Sequence, residues 1–566
     1  MRRLPDGRVV FETRADVPPV AMTLATTSWN RTGDWRSREP FFRDLTPPCS
    51  SACPLAKDVC DELRLLAQGR VREAGEVLLA ANPFPAVTGR VCPHPCTAAC
   101  NRGRMEGALD IPGLERTLGD ALLAQHFELV RGPDAGARVA VVGAGPAGLT
   151  AAHYLALGGC DVTLFDRDER PGGLLRTGIP PYRLPRAVLD AEVERALGPG
   201  VRYAGGQALG VNLELAELAK AFDAVLLAVG LGAPRRLGVE GEDAEGVVDG
   251  LELLAALNAG GAAPGGERAV VVGGGSTAFD CARSLRRRGF EVTVAYRRGR
   301  GDMPAFAEEV REAAEEGVAV EDWLVPRDVG VVDGCARWIR FSRASPGEPD
   351  ETGRARPVVV PGLDRTLPVD LVVVATGQGL DSSGFPPDWV KGGLLVPPGG
   401  EASADRVLAI GDCAGGGGTV AHAIGAGRRA AAALAARVGG TPPAVDLLAE
   451  RGAGAAVVGF GQIRPAWHRP SAPRPRGSED PALRRQDDRE VRGGFGPEEA
   501  AAESARCLAC GTCTACGVCY ELCPDRAVVR GPPGGYAVDA TRCKGCGVCA
   551  QECPRGAVEL RERVGG

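Results

Sequence analysis

The feature that most constrains this chain is a glycine turn set between two short apolar runs, present twice, with one copy nested inside the other. In residues 138–168 an apolar run, 139–142, ends in Gly143-Ala144-Gly145-Pro146-Ala147-Gly148, a helical stretch follows, and a second run, 162–165, ends at Asp166. Glycine at these places lets backbone N–H groups approach a pyrophosphate at a helix N-terminus. A carboxylate about twenty residues on suits a ribose hydroxyl pair. The motif alone is weak; a strand before it, a helix after it and the acid at the right offset make it strong.

The inner copy begins with 269–272 and Gly273-Gly274-Gly275-Ser276-Thr277-Ala278, then a helix expected to about residue 288 and a strand, 291–295, ending at Tyr296-Arg297-Arg298. Alanine takes the third glycine position. Two arginines stand where an acid would meet a free ribose, which favours NADP(H) over NAD(H). The plain alternative is that they cover a solvated strand end. The outer unit resumes at 407–429, VLAIGDCAGGGGTVAHAIGAGRR. This nesting matches a flavoprotein with two dinucleotide sites, the outer one holding FAD, with Asp412 facing the flavin ribitol. Gly172 and Gly173, and the passage 178–185 with Arg183, could lay backbone against a flavin, although any loop can be rich in Gly and Pro. His422 reads as a satisfied or exposed histidine, because hydride transfer needs stacking and orientation more than a protein acid. No side chain is assigned a catalytic role.

The chain has 20 cysteines in 566 residues and no apparent signal segment, so a disulfide framework is not expected. Ten lie between Cys507 and Cys553, six between Cys49 and Cys100, and Cys160, Cys281, Cys335 and Cys413 stand alone as expected core thiols. Cys513-x2-Cys516-x2-Cys519-x3-Cys523-Pro524 and Cys543-x2-Cys546-x2-Cys549-x3-Cys553-Pro554 form the bacterial two-cluster ferredoxin run, in which the fourth cysteine of each run crosses to the other [4Fe–4S] cluster. Toward the N-terminus Cys49 and Cys53, then Cys92, Cys96 and Cys100, flank two helical patterns, 59–68 and 71–80. Iron–sulfur is favoured there over zinc because of the ferredoxin signature in the same chain. Cys60, among apolar helical positions, reads as core.

The net charge of -6 implies no nucleic-acid footprint, and no run is long enough to cross a bilayer, so a cytoplasmic protein without a membrane partner is expected. The expected fold is α/β. A polar arm (1–45) and a small helical iron–sulfur domain (46–136) precede an FAD-binding domain (137–246 and 381–440) that encloses an NADP(H)-binding domain (247–380). A Pro/Gly/Arg/Glu-rich linker (441–500) leads to an α+β ferredoxin-like domain (501–566).

Together these residues resemble the glutamate synthase small-chain type of FAD-dependent NAD(P)H oxidoreductase, also found as the N-terminal half of dihydropyrimidine dehydrogenase. The resemblance runs over residues 49–436 and rests on 82–93 (NPFPAVTGRVCP), the turn at Gly143, GIPPYRLP from Gly178, GGGSTAFD from Gly273, Tyr296-Arg297-Arg298 and Met303-Pro304. It departs from the family in lacking a Cys-x2-Cys pair upstream of Cys49, while the tail carries a surplus pair, Cys507 and Cys510. The resemblance implies that Cys507 and Cys510, from this chain or a neighbouring one, would complete one cluster with Cys49 and Cys100, and that Cys53, Cys92, Cys96 and Glu115 would hold a second. The alternative is one N-terminal cluster on four of the five cysteines, with Cys507 and Cys510 structural.

The function expected is electron transfer between NADPH and iron–sulfur acceptors through FAD, in either direction. It would serve a separate catalytic partner, such as a 2-oxoacid:ferredoxin or aldehyde oxidoreductase, or a ferredoxin, within a hetero-oligomeric complex. Two alternatives are a small subunit of NADPH glutamate synthase and a cluster-bearing assembly subunit with a vestigial flavin site. A thioredoxin reductase-like activity would need a Cys-x2-Cys in the inner domain, where only Cys281 and Cys335 lie.

Overall fold

The computed structural model describes residues 2–5, 9–10, 12–16, 31–198, 200–397, 406–441, 456–531 and 535–562; residues 17–30 of the expected arm and 442–455 of the expected linker lie outside the described residues. Two parallel five-stranded sheets carry the middle of the chain. The first runs in the order Val407–Ala409, Ala224–Leu227, Arg138–Val142, Asp161–Phe165, Val201–Ala204. Its central strand is buried except at Arg138, as a strand covered on both faces must be. From the glycine turn the helix Pro146–Leu157 starts on a proline, where the missing N–H has no partner to lose. Small residues let Val420–Val438 close on this helix: a Cβ on Gly427 would stand 2.3 Å from the Ala147 carbonyl oxygen.

The second sheet runs Ala319–Glu321, Glu291–Ala295, Arg268–Val272, Leu371–Val374, Val247–Asp249. The chain passes between the two sheets through the short antiparallel pair Ala233–Pro234 and Gln378–Gly379. A long antiparallel ribbon, Leu324–Val332, Cys335–Pro349 and Ala355–Pro368, rises from the inner domain. It is absent from the sequence-based reading. Its signal is the Asp333-Gly334 step, whose φ values of 51° and 82° make the tight turn that twisted hairpins prefer.

In the helical domain Asp58 and Asp110 cap Val59–Ala67 and Ile111–Ala124 by accepting from the N–H groups of Asp61 and Gly113. The helices Pro85–Val91 and Ile111–Ala124 cross on glycines, since Cβ atoms on Gly89 and Gly119 would lie 2.3 Å from the backbone nitrogens of Arg116 and Ala86. This crossing draws Glu115 toward the loop of Cys92 and Cys96.

The tail repeats one pattern. Gly517 and Gly547, both at positive φ, start the short helices Val518–Glu521 and Val548–Gln551. A strand follows each: Val528–Arg530 pairs with Tyr536–Val538, whereas Val558–Glu562 pairs with Arg38–Phe42. The arm is therefore built into the tail from residue 32 onward. Over residues 456–496 the expected linker also lies against the body. Arg484 pairs with Glu315 at 2.8 Å and Arg492 with Glu312 at 2.7 Å on the inner domain. Glu490 takes Arg90 at 2.7 Å and Arg116 at 2.9 Å on the helical domain. Charges that read as a linker are spent in ion pairs whose partners lie 169 to 400 residues away.

Candidate functional site

The outer glycine turn shows a division of labour among its three glycines. Gly143 has φ 105°, and a Cβ there would meet the Ala228 carbonyl oxygen at 2.3 Å; a Cβ on Gly148 would stand 1.8 Å from the Gly143 carbonyl oxygen, so helix and strand touch through bare backbone. A Cβ on Gly145 would meet nothing within 4 Å. That open space at the start of Pro146–Leu157, beside Ala147, fits a pyrophosphate on the helix N-terminus. Asp166 is buried, accepts from Asp168 N at 2.8 Å and from Ala144 N, and burial pushes its carboxyl above the ordinary range despite those two bonds. Gly172 donates to the Ala144 carbonyl at 2.9 Å, and a Cβ on Gly173 would press Gly145 Cα at 2.8 Å, so this pair borders the same space. Asp412 accepts from Gly418 N at 3.1 Å and closes the 415–418 loop. His422 is satisfied by Thr419, 2.7 Å from its Nδ1.

The inner turn is built alike. A Cβ on Gly273 would stand 2.3 Å from the Ala375 carbonyl oxygen, Gly274 lies under the Tyr296 ring, and Gly275 is open, with its nearest neighbour Pro304 at 4.0 Å. Ala278, fully buried, fills the third position, and Ser276 and Thr277 open the helix Ser276–Arg287. A cavity of about 590 Å³ borders this turn, lined also by Arg235, Arg297, Arg298 and Arg354. Arg297 is exposed and has no side-chain partner among the described residues. Arg298 turns away to Asp350 at 2.5 Å and the Ala355 carbonyl at 3.0 Å. The two arginines that sequence treated as a pair thus differ: both line the cavity, but Arg297 has no protein partner there and Arg298 is also tied to the ribbon.

Arg183, expected beside a flavin, is instead an interdomain tie. Its guanidinium reaches Asp280 at 2.6 Å and Glu309 at 2.5 Å in a buried setting, because two buried carboxylates of the inner domain need a cation. Next to it the Tyr182 ring lies under Arg287, 3.9 Å from the ring centre.

The cysteines gather in groups that sequence distance conceals. Cys49, Cys100, Cys507 and Cys510 converge within one chain, with Cys60 among them. The neighbouring Cys60 thiol holds Cys507 down to about 7, whereas burial pushes Cys510 up to about 12. Asn101 Nδ2 lies 3.5 Å from the Cys510 sulfur. Cys60, read as core, is buried and also touches sulfur; nothing in its apolar surroundings along the chain signalled that contact.

Cys53, Cys92 and Cys96 form a second group against Glu115. The Glu115 carboxylate accepts from Asn82 and Thr88, each at 2.7 Å, and pairs with buried Lys57 at 3.0 Å. Any bond from Glu115 to iron competes with these three partners. In the tail Cys553 faces Cys513, Cys516 and Cys519, and Cys523 faces Cys543, Cys546 and Cys549, the crossed arrangement expected from the spacing.

Local backbone explains how these loops hold sulfur. Two residues after Cys92, Cys507, Cys513 and Cys543 the backbone turns left-handed, at His94 (φ 47°), Ala509 (47°), Ala515 (52°) and Gly545 (72°). His94 and Ala509 N–H groups donate to Cys92 and Cys507 at 3.4 Å, and the Ala515 and Gly545 N–H groups face Cys513 and Cys543 and favour their thiolates. That conformation costs a non-glycine residue about 1–2 kcal/mol. It recurs because it aims N–H dipoles at thiolates, which metals require and burial otherwise disfavours. Among the described residues no three His, Cys, Asp or Glu side chains close on one point as a single ion would need.

Residues 137–427 match the pyridine nucleotide-disulphide oxidoreductase family, 44–127 the 4Fe-4S domain II of dihydropyrimidine dehydrogenase, and 512–557 the 4Fe-4S dicluster domain. The chain is 36% identical over 518 residues to the NADP(+)-dependent formate dehydrogenase subunit beta of Moorella thermoacetica, covering 83% of this chain and 71% of that one. It is 37% identical over 355 residues to the NADPH-Fe(3+) oxidoreductase subunit beta of Geobacter sulfurreducens, covering 61% of this chain and 53% of that one. With the glutamate synthase [NADPH] small chain of Escherichia coli it shares 34% identity over 422 residues, covering 68% and 87%. No helix among the described residues is long and apolar enough to cross a membrane. The family name mentions disulphide, yet Cys281 bonds to the Gly250 carbonyl in the core while Cys335 sits on the ribbon beside Glu245, so the inner domain offers no paired thiols. The chain belongs to the pyridine nucleotide-disulphide oxidoreductase family and is an FAD-dependent oxidoreductase of NADPH with 4Fe-4S domains on both sides of its nested dinucleotide sites.

Proposed function

We propose that the chain is the electron-transfer subunit of a hetero-oligomeric cytoplasmic complex, passing electrons between NADPH and a catalytic oxidoreductase partner or ferredoxin, for instance a 2-oxoacid:ferredoxin or aldehyde oxidoreductase core. Relatives named as subunits beta and small chain support a partner in general. FAD supplies the exchange between the two electrons of a hydride and the single electrons that iron–sulfur clusters carry. Gly143, Gly145, Pro146, Ala147 and Gly148 would hold its pyrophosphate, Asp166 its ribose, and Gly172, Gly173 and Asp412 would border the ring and ribitol. Gly273, Gly275, Ser276, Thr277 and Ala278 would hold the nicotinamide dinucleotide, with Arg297 on the 2′-phosphate.

The observation that carries this reading is the meeting of Cys507 and Cys510 with Cys49 and Cys100. Four thiols from the two ends of the chain would make one cluster, and Cys513 follows Cys510 by only three residues. The helical domain and the tail are thereby one conductor. Cys53, Cys92, Cys96 and Glu115 would hold the cluster on the flavin side.

A Cys507→Ser/Cys510→Ser variant tests this. It is expected to lose about four irons, one cluster's worth, to keep flavin bleaching by NADPH under anaerobic conditions, and to lose reduction of the tail clusters seen by EPR. Unchanged iron, or unchanged tail reduction, refutes the route.

A further inference from the structure

The N-terminal arm lies outside all three family matches except at its last residues, and the sequence assigned it no chemistry. In the fold it touches both halves of the tail. Its strand Arg38–Phe42 supplies the partner for Val558–Glu562 that the second half lacks, whereas the first half has its own. Gly33 N donates to the Thr541 carbonyl at 3.0 Å, and Thr32 Oγ1 to that of Arg542 at 2.5 Å, immediately before Cys543. Pro40 lines the cavity enclosed by Cys523, Cys543, Cys546 and Cys549. A Cβ on Gly545 would stand 2.2 Å from the Arg38 carbonyl oxygen, so the cysteine loop closes directly on the arm.

The arm also carries an acid to one cluster site and basic side chains to the other. Asp44 Oδ1 accepts from Cys513 N at 3.0 Å and is among the charges acting on that thiol. Arg36 brings the opposite sign to the Cys543 loop: a Cβ on Gly545 would stand 3.1 Å from Arg36 Cβ, and the guanidinium, on a side chain 11% exposed, bonds to the Gly33 and Ala540 carbonyls, with Glu39 at 3.5 Å. Reducing a cluster adds a negative charge. A neighbouring carboxylate opposes that addition and a neighbouring guanidinium favours it.

We infer that residues 32–44 are a working part of the tail domain: they complete its second half and polarise its two cluster sites, so that an electron entering at the Cys513 site comes to rest at the Cys543 site. One electron moves, no bond forms or breaks, and its source is the nicotinamide nucleotide. The Cys513 site adjoins the body through Cys510, and the bias therefore points outward, toward a partner. This inference rests on the crossed cluster ligation that the spacing of the tail cysteines implies.

The test uses the full-length holoprotein and its Asp44→Asn and Arg36→Gln variants, with iron content measured first and each cluster then followed by EPR during a redox titration. Asp44→Asn keeps an acceptor for the Cys513 N–H and removes only the charge. It is expected to make one tail cluster about tenfold easier to reduce, about 59 mV for one electron, and Arg36→Gln to make the other about tenfold harder. Full iron with both potentials unmoved overturns the inference; should Arg36→Gln lose iron, Asp44→Asn alone decides it. A wild-type tail without two four-iron clusters would refute the ligation itself, and the inference with it, and is told apart by the iron count.

Discussion

Arg297→Ala is expected to strip the preference for NADPH while leaving NADH turnover intact. The structure divides the two arginines at the end of Glu291–Ala295: Arg297 is exposed at the mouth of the cavity, and Arg298 is held by Asp350 at 2.5 Å and by the Ala355 carbonyl at 3.0 Å. A charge-assisted hydrogen bond to a phosphate is worth about 1.5–3 kcal/mol. Its loss should lower kcat/KM for NADPH by about ten- to a hundredfold. NADH, lacking the 2′-phosphate, should change little. Arg298→Ala should act differently, because it frees Asp350, whose carboxyl is held down to about 2, chiefly by the Thr352 hydroxyl and further by Arg298. It should loosen the ribbon and weaken both nucleotides alike. The assay is anaerobic stopped-flow bleaching of the flavin with each nucleotide. A change of less than about threefold in the NADPH/NADH ratio for Arg297→Ala, with collapse of that ratio in Arg298→Ala, would refute the division of roles.

Two further outcomes follow from the geometry. Gly145→Ala should fold normally, since its methyl group meets no protein atom, yet fail to retain FAD; Gly148→Ala, at 1.8 Å from the Gly143 oxygen, should lose fold and FAD together. Circular dichroism beside flavin content separates them, and FAD retained by Gly145→Ala would contradict the pyrophosphate site. His153 is buried with Nδ1 3.0 Å from the Ala196 carbonyl, and burial holds its pKa down to about 4. The unfolded chain, titrating at the ordinary value near 6.5, takes up a proton that the fold refuses, so stability should be full above pH 6.5 and fall by up to about 3 kcal/mol as the pH drops to 4. Flavin release against pH should show this acid loss, and His153→Gln should flatten it; an unchanged slope would assign the loss elsewhere.

Much of the candidate site was legible because its constraints are local. A glycine turn between strand and helix needs only about thirty residues to declare itself, and the structure displays the space around each glycine: Gly143 and Gly148 have no room for a side chain, and Gly145 borders open space. The crossed facing of the tail cysteines was legible too, since doubled spacing leaves the chain little choice in which cysteine faces which run. Arg183 and Arg298 have protein partners that the sequence did not foresee, for one physical reason. A cation beside a motif looks like a ligand-binding group until a buried carboxylate claims it, and Asp280, Glu309 and Asp350 lie 50 residues or more from these arginines.

By itself, then, the amino-acid order determined the two dinucleotide turns, their nesting and the cysteine loops, all of which are set by φ preferences, β-branched runs and short-range spacing. Tertiary structure alone decided that Cys60 joins a thiol cluster, that Cys507 and Cys510 meet Cys49 and Cys100 in the same chain, that the Arg/Glu-rich stretch 456–496 is bound down by ion pairs, and that the arm completes the tail. These contacts join segments hundreds of residues apart. No local propensity encodes them, because each depends on which unpaired strand edge, buried carboxylate or open thiol the rest of the fold has left to be satisfied.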